Sequence, residues 1–160
     1  MKKVYYAAPL FSEMELQYNV YLTDKIKALY PELDIYIPQE QGDINDKNAY
    51  ADSVMIAKYD TDALLASDFM IAVLDGATID VGVATEIGVA YQAGIPIIGL
   101  YTDSRQQGAT NQQKLAALQE VAESQFSYIN LYTVGLIKTN GTIVNHIDGL
   151  LEQVGNYIKG

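Results

Sequence analysis

The sequence contains no cysteine and only one histidine, and these absences remove several kinds of site. Without cysteine the chain can form neither a disulfide nor a thiolate metal site, and it has no thiol nucleophile. The lone histidine, His146, cannot build a metal cluster by itself. We therefore expect no metal ion and no other cofactor.

Basic residues are also scarce, because 10 Lys and Arg face 20 Asp and Glu and the net charge is −10. A chain this acidic repels phosphate backbones and anionic lipids alike. Neither nucleic acid nor a membrane surface is an expected partner.

Long apolar runs are missing as well. The first apolar run, Val4 to Phe11, gives way to the polar segment 12–15 too early for a signal peptide or a membrane span. A cytoplasmic protein is therefore expected. With 160 residues and 49% hydrophobic content, the chain is predicted to form one globular domain over residues 1–160.

Short apolar runs alternate with longer helical patterns along the chain. This alternation predicts an α/β fold with a doubly wound, five-stranded parallel sheet, flavodoxin-like or Rossmann-like, with helices on both faces. The predicted strands cover residues 4–8, 33–37, 69–74 and 96–101, and the predicted helices 12–30, 50–66, 80–94, 111–124 and 145–159. Residues 128–138 fit either the fifth strand or a short helix capped by Asn130, and Asn140-Gly141 is typical of a hairpin turn.

A carboxylate interrupts the apolar face of the helix that follows the third strand. On helical spacing Glu86 shares a stripe with Gly82, Val83 and Ala90, residues that normally pack against a sheet. An ionised carboxylate is costly there unless it is paired, neutral or lining a cleft. Asp80 stands at the N-cap position, so two carboxylates flank one βα loop at the sheet edge where ligands bind in open α/β folds.

The preceding helix carries a second acid of this kind. Asp60 falls in the stripe formed by Ile56, Ala57, Ala63 and Leu64. Glycosyl chemistry needs a nucleophile and a proton donor or acceptor, and the three acids together can supply both. Each also has a structural interpretation: a paired buried carboxylate at 86, a helix cap at 80, and a stripe-edge residue reaching water at 60.

Several segments resemble one family in order and spacing, over most of the chain. The sequence resembles the nucleoside 2-deoxyribosyltransferases, and the most specific part of the match is the Asp-x-Gly-x-x-x-Glu-x-Gly run together with the opening Ala-Pro-Leu-Phe. The matching segments are Tyr5-Tyr-Ala-Ala-Pro-Leu-Phe-Ser12, Tyr36-Ile-Pro-Gln39, Asp60 with Asp68, Asp80-x-Gly82-x-x-x-Glu86-x-Gly88 and Ile129-Asn130-Leu131.

The resemblance implies an activity and three catalytic residues. It implies transfer of 2′-deoxyribose from a deoxyribonucleoside to another free nucleobase in nucleoside salvage, with net retention through a covalent intermediate. Glu86 is then the nucleophile, and Asp60 is the acid that protonates the departing base and deprotonates the incoming one. Tyr5 matches a tyrosine whose hydroxyl lies against the nucleophile.

The resemblance also implies a set of substrate-binding residues. Asp80 matches an acid that holds the sugar hydroxyls, and Gln39 matches a glutamine that reads the base edge, with Gln41 as the alternative. Phe11 and Gly82 belong to the matching segments and are expected to bind substrate.

Assembly is the last implication of the resemblance. Asn130 matches an asparagine donated by a neighbouring subunit, which implies a homo-oligomer built from dimers, up to a hexamer. The sequence does not decide between purine-only and broader base specificity, nor the role of residues 103–125.

Two other functions use a similar architecture. A deoxynucleoside 5′-monophosphate N-glycosidase would need phosphate donors, such as Ser or Arg in a glycine-rich loop at a helix N-terminus, and the first loop offers Ala8-Pro9-Leu10-Phe11 instead. A non-catalytic nucleotide-sensing module would have no reason to keep Glu86 in an apolar stripe.

Overall fold

A computed structural model describes residues 1–42, 52–107, 109–124 and 127–160. Within these ranges, five strands pair in parallel in the order β2-β1-β3-β4-β5. The strands are β1 (Lys3–Ala7), β2 (Asp34–Tyr36), β3 (Phe69–Val73), β4 (Ile97–Leu100) and β5 (Gly141–Val144). The predicted α/β class and five-stranded parallel sheet are confirmed.

Helices connect the strands, and most of them begin at a side-chain cap. They are α1 (Glu13–Leu29), α2 (Ser53–Leu65), α3 (Val81–Gln92), α4 (Gln112–Ala117), α5 (Leu131–Thr139) and α6 (Ile147–Lys159). Short 3-10 turns occupy Pro38–Glu40 and Ser104–Gln107. Ser12 and Glu15 form the predicted capping box at the start of α1. The first two residues of the predicted helix 50–66, at positions 50 and 51, lie outside the described residues.

The helices cover both faces of the sheet, and each face has its own core. Side chains alternate along β1, so Val4 and Tyr6 pack with α1 and α6, whereas Tyr5 and Ala7 pack with α2, α3 and α5. Every residue of β3 is buried, as expected for a central parallel strand. The alternation places the Tyr5 ring on the face that also carries α3.

Of the two predictions for residues 128–138, the short helix capped by Asn130 is confirmed, as α5 over Leu131–Thr139, and the hairpin prediction at Asn140-Gly141 is wrong. The Asn130 side chain accepts the Tyr132 N–H and caps α5, while the fifth strand begins at Gly141 and pairs in parallel with β4. Glycine is required at 141 by a close approach, since a Cβ there would lie 1.9 Å from the Ile97 carbonyl oxygen. From the local sequence alone, a glycine required by this close backbone approach looks the same as a glycine required by a hairpin turn.

The helix predicted over 111–124 is shorter than expected, because α4 ends at Ala117. Residues 119–124 are all exposed, and Ala122 has a left-handed φ of 70°. Most helical stability in proteins comes from burying an apolar face, and this stretch buries none.

The strand order fixes where a ligand site is expected. From β1 the chain moves to β2 on one side and then to β3 on the other, so the order reverses between β1 and β3. In open α/β sheets, ligands bind beyond the carboxyl ends of the strands at this reversal. A ligand site is therefore expected among the residues that follow Ala7 in β1 and Val73 in β3.

Candidate active site

The loop after β3 ends in a cap that also forms part of a cavity wall. Asp80 Oδ2 accepts the Val83 N–H at 3.1 Å and starts α3. A Cβ on Gly82 would meet the same carboxylate oxygen at 2.9 Å, so a larger residue would displace the cap. Both Asp80 and Gly82 line the cavity, and the structural and functional interpretations of Asp80 are therefore compatible.

Glu86 lies one turn further along α3 and is largely buried. The Tyr5 hydroxyl donates a hydrogen bond to Glu86 Oε1 at 2.6 Å, which brings β1 and α3 together as predicted. Burial raises the pKa of Glu86 from its ordinary value of 4.5 to about 7, and the nearby carboxylates of Asp60 and Asp80 raise it further, while the Tyr5 hydrogen bond opposes the increase. The carboxyl group is thus poised to titrate near neutral pH.

Asp60 has a tyrosine partner of its own. The Tyr36 hydroxyl donates to Asp60 Oδ1 at 3.1 Å. Burial raises the pKa of Asp60 above its ordinary value, and the Tyr36 hydrogen bond partly counteracts this. The two acids are close enough that each tyrosine's pKa is raised by burial and by both carboxylates.

The acids share a cavity of about 270 Å³ at the reversal between β1 and β3. Ten residues line it: Ala8, Leu10, Phe11, Pro38, Ile56, Asp60, Asp80, Gly82, Val83 and Glu86. Among these described residues the only charged side chains are the three carboxylates. Five of the predicted site residues, at positions 11, 60, 80, 82 and 86, line this cavity, and Tyr5 lies beneath it.

A second groove, between α2 and α3, reaches the same carboxylates. It has a volume of about 290 Å³, and Asp60 and Glu86 line it together with Gly82. Its other lining residues are small or apolar: Ala57, Thr61, Leu64, Val81, Thr85 and Val89. The two acids therefore face two openings in the single chain.

Gln39 is fixed against α1 and does not line the cavity. Its Oε1 accepts from Asn19 Nδ2 at 2.9 Å, and its Nε2 donates to the Leu16 carbonyl at 3.2 Å. The alternative, Gln41, donates from Nε2 to the Ile37 carbonyl at 3.2 Å. Pro38 does line the cavity, so base reading by either glutamine stays a prediction.

Asn130 lies outside the cavity of its own chain. Its side-chain oxygen caps α5, and the residue is exposed and lines a different cavity with Tyr101 and Arg105. Its neighbours are also exposed: Tyr128 by 85%, Leu131 by 81% and Tyr132 by 77%. Within one chain, Asn130 is not brought to the acids.

Two residues of the site region were not predicted. Tyr36 belongs to a segment that matches the family, but no role is predicted for it, and only the strand pairing places it beside Tyr5 and in contact with Asp60. Asn19 is 3% exposed, donates to the Pro9 carbonyl and to Gln39 Oε1 at 2.9 Å each, and accepts from Tyr6. It thereby ties the loop before Phe11 to the turn at Pro38, and an amide inside an otherwise apolar helix stripe was the available signal.

The described part of the chain gives no sign of a metal centre. It contains no group of three or more His, Cys, Asp or Glu residues arranged to hold a metal ion. Over the same residues, no helix is both long enough and apolar enough to span a membrane.

The buried carboxyl group predicts a stability effect that is independent of any activity. Glu86→Gln keeps an acceptor for the Tyr5 hydroxyl but removes the charge. The folded-state pKa of Glu86 is raised, so ionisation costs stability as pH rises from 4.5 to about 7. We expect the variant to be more stable than wild type by on the order of 2 kcal/mol above pH 7, with no difference below pH 4.5. Urea unfolding at a series of pH values measures this, and a gain that is the same at pH 4 and pH 8 would contradict it.

Sequence and structure comparisons relate this site to known proteins. The sequence model of the nucleoside 2-deoxyribosyltransferase family matches residues 4–128. Comparison with curated proteins gives no match. A conserved protein from Enterococcus faecalis V583 is 60% identical, with a TM-score of 0.92 over 98% of each chain.

More distant structures share the fold alone. The 2-deoxyribosyltransferase from Leishmania mexicana is 19% identical, with a TM-score of 0.61 over 93% of each chain. The CMP N-glycosidase from Clostridium botulinum is 20% identical, with a TM-score of 0.52 over 98% of this chain and 99% of the other. Similar folds thus carry both deoxyribosyl transfer and N-glycoside cleavage.

Proposed function

Since this chain belongs to the nucleoside 2-deoxyribosyltransferase family, we propose that it transfers 2′-deoxyribose between nucleobases in nucleoside salvage. The observation that carries the proposal is the pair of acids at one cavity, each held by its own tyrosine. Two partly buried carboxyl groups, each with its own hydrogen-bond donor, suit a double-displacement glycosyl transfer.

Glu86 acts as the nucleophile. One carboxylate oxygen is held by Tyr5, and the other attacks the anomeric carbon C1′ as the bond from C1′ to the base nitrogen breaks. The product of this step is a deoxyribosyl ester on Glu86 with inversion at C1′. The incoming base then attacks C1′, the ester bond breaks, and a second inversion gives net retention.

Asp60 moves the proton that balances each half reaction. The departing base takes the electron pair of the broken bond, and Asp60 donates a proton to it. In the second half, Asp60 accepts a proton from the incoming base. The raised pKa of Asp60 favours the protonated form that the first half reaction needs.

The remaining cavity residues bind the substrate. Asp80 accepts hydrogen bonds from the sugar hydroxyls while still capping α3, and Gly82 allows the sugar close to the helix backbone. Phe11 is 78% exposed at the cavity mouth and offers an aromatic face to the base. Gln39 or Gln41, each of which lies close to Pro38 in the chain, reads the base edge once its amide exchanges its present hydrogen bonds for the base.

The charge of the cavity argues against a phosphorylated substrate. Its described lining has neither a cation nor a hydroxyl side chain, and three carboxylates face inward. The phosphate of a nucleoside monophosphate would add a dianion beside these three carboxylates, with no cationic or hydroxyl side chain in the described lining to bind it. Hydrolysis of deoxynucleoside monophosphates and nucleotide sensing are therefore the weaker alternatives.

An exchange assay tests the proposal. The protein is incubated with a 2′-deoxyribonucleoside and a different free base, and the products are separated by chromatography. Formation of the new deoxyribonucleoside supports the transferase. In a parallel reaction with a 2′-deoxynucleoside 5′-monophosphate, release of the free base and 2-deoxyribose 5-phosphate would support the hydrolase, and no turnover of either substrate would support the sensor. Repeating the assay across a panel of bases measures purine and pyrimidine specificity.

We propose further that the active unit is at least a dimer in which Asn130 completes the sugar site of the neighbouring subunit. The exposed aromatic and apolar side chains around Asn130 supply a surface suited to a second copy. Helices α3 and α5 pack against each other, so this surface is continuous with the start of the catalytic helix, where Val81 is 81% exposed. A neighbouring copy seated on this surface would cover the second groove, so that solvent no longer reaches Asp60 and Glu86 from that side.

Subunit mixing measures this contribution. Glu86→Ala and Asn130→Ala proteins, each nearly inactive, are dissociated together and reassembled. In a mixed dimer one of the two sites has an intact Glu86 and an intact Asn130, so random mixing should restore about a quarter of wild-type activity. A mixture that stays inactive despite proven subunit exchange would place Asn130 within its own chain or outside the site.

The mixing experiment needs a control for the lost helix cap. Asn111 caps α4 in the same way, accepting the Lys114 N–H at 3.0 Å. Asn111→Ala therefore removes a cap of the same kind, worth about 1 kcal/mol. This variant should keep near wild-type activity by itself, without being mixed with Glu86→Ala protein.

A further inference from the structure

Tyr36 repeats, one strand further out, the contact that Tyr5 makes. The two residues are in register on β2 and β1, and their rings stack with centroids 5.5 Å apart and planes 17° apart. The Tyr5 hydroxyl donates to one oxygen of Glu86, and the Tyr36 hydroxyl donates to one oxygen of Asp60. Each acid is thus held at one oxygen by one of two stacked tyrosines.

The stack explains how a short edge strand can hold a hydroxyl in place. Strand β2 has three residues, and Tyr36 is its last. The Tyr5 ring is completely buried in close packing, and the Tyr36 ring stacks on it, which restricts the orientations open to Tyr36. Tyr36 is therefore pre-organised by Tyr5 rather than by its own strand.

A donor at Oδ1 decides which oxygen of Asp60 carries a proton. While Oδ1 accepts the Tyr36 hydrogen, its lone pair on that side is occupied, so Oδ2 is the favoured position for the carboxyl proton. After the proton leaves, the same hydrogen bond stabilises the carboxylate that remains. Both effects favour delivery of a proton from Oδ2.

We propose that Tyr36 is a positioning residue for proton transfer: its hydroxyl holds Oδ1 of Asp60 so that the proton exchanged with the nucleobase travels on Oδ2. This inference rests on the proposed function. As the bond from Glu86 to C1′ forms and the bond from C1′ to nitrogen breaks, the electron pair goes to the base and the proton goes from Oδ2 to the base. The second half reaction returns a proton to Oδ2.

The variant Tyr36→Phe tests this, because it keeps the ring and the stack and removes only the hydroxyl. Exchange rates are measured with a series of 2′-deoxyribonucleosides whose bases differ in acidity. We expect about a 10- to 100-fold loss for bases that need a proton to leave, the size expected when a hydrogen bond to a charged group is lost. For the most acidic bases the loss should be less than about threefold, so the dependence of rate on base acidity becomes steeper.

The pH profile provides a second measurement. The titratable groups around Asp60 are Tyr36, Glu86, Tyr5 and, in the lining of the same cavity, Asp80, and the Tyr36 hydrogen bond lowers the pKa of Asp60. Removing it raises that pKa, so Asp60 stays protonated to higher pH. The alkaline limb of the rate profile for base departure should therefore move to higher pH in the variant.

Tyr30→Phe is the matched control. Its hydroxyl donates to the Leu151 carbonyl at 2.8 Å, on the opposite face of the sheet, so the variant loses one hydroxyl and one hydrogen bond without touching the cavity. It should leave the dependence of rate on base acidity and the alkaline limb unchanged.

The outcomes separate this inference from the proposed function. If the wild type exchanges no bases, the proposed function fails and the role of Tyr36 fails with it. If the wild type is active but Tyr36→Phe slows all bases equally, or behaves as Tyr30→Phe does, Tyr36 only packs and this inference alone is overturned.

Discussion

Glu86→Gln is expected to abolish exchange while leaving the protein folded. The glutamine oxygen can still accept from Tyr5, but an amide cannot form the ester with C1′, and no other cavity residue stands in its place. We expect a loss on the order of 10⁴-fold or more in kcat/KM. Steady-state exchange assays measure this loss, and circular dichroism checks the fold.

The control for this substitution is Glu152→Gln, which makes the same change on an exposed position of α6. It should retain near wild-type activity. Mass spectrometry of wild-type protein quenched during turnover should find the deoxyribosyl group on the peptide containing Glu86. An adduct on any other residue, or an active Glu86→Gln protein, would refute the assignment of the nucleophile.

The second large effect is expected at Asp60. Asp60→Asn retains an oxygen for the Tyr36 hydroxyl, so the side chain stays in place, but it cannot donate a carboxylic proton. Loss of general acid catalysis costs about 10²–10⁴-fold, and this loss should concentrate on bases that leave poorly without a proton. Rates across bases of different acidity measure the effect.

Asp62→Asn is the control, because Asp62 lies on the same helix, is exposed on its side chain and pairs with Lys58 across one turn. Exposed pairs of this kind contribute little, so the variant should behave as wild type. An Asp60→Asn protein that loses the same factor for every base would show that Asp60 shapes the cavity instead of moving protons.

Much of the fold was predictable because apolar runs of strand length alternate with helical patterns. Those patterns identified β1 to β4 and the helices between them, and the alternation predicted a parallel sheet. The fifth strand was different, since β5 has four half-buried residues and its first is Gly141. A glycine needed by a close approach to Ile97 and a glycine needed by a turn have the same letter, and only tertiary contacts distinguish them.

The site was predictable where an acid broke an apolar stripe. Glu86 and Asp60 stood out because a carboxylate on a packed face is costly, and the structure brings both to one cavity with Asp80. Tyr36 did not stand out, because a tyrosine in a short alternating strand is explained by packing alone. Gln39 was assigned to the site by the family resemblance alone, and its amide contacts with Asn19 and Leu16 could not be inferred without the position of α1.

The distance along the chain between Tyr5 and Glu86 has a consequence for biosynthesis. These partners are 81 residues apart, and Tyr36 and Asp60 are 24 apart, so the cavity exists only after β1 has paired with strands made later. Parallel pairings across intervening helices close long loops and form slowly. A nascent chain that ends before α3 can bury parts of its core but lacks Glu86, the proposed nucleophile. A substrate that binds only the completed cavity would stabilise the fully paired sheet relative to every partly folded state. If the proposed substrates are correct, nucleosides in the cell would therefore shift the population from folding intermediates to the completed protein.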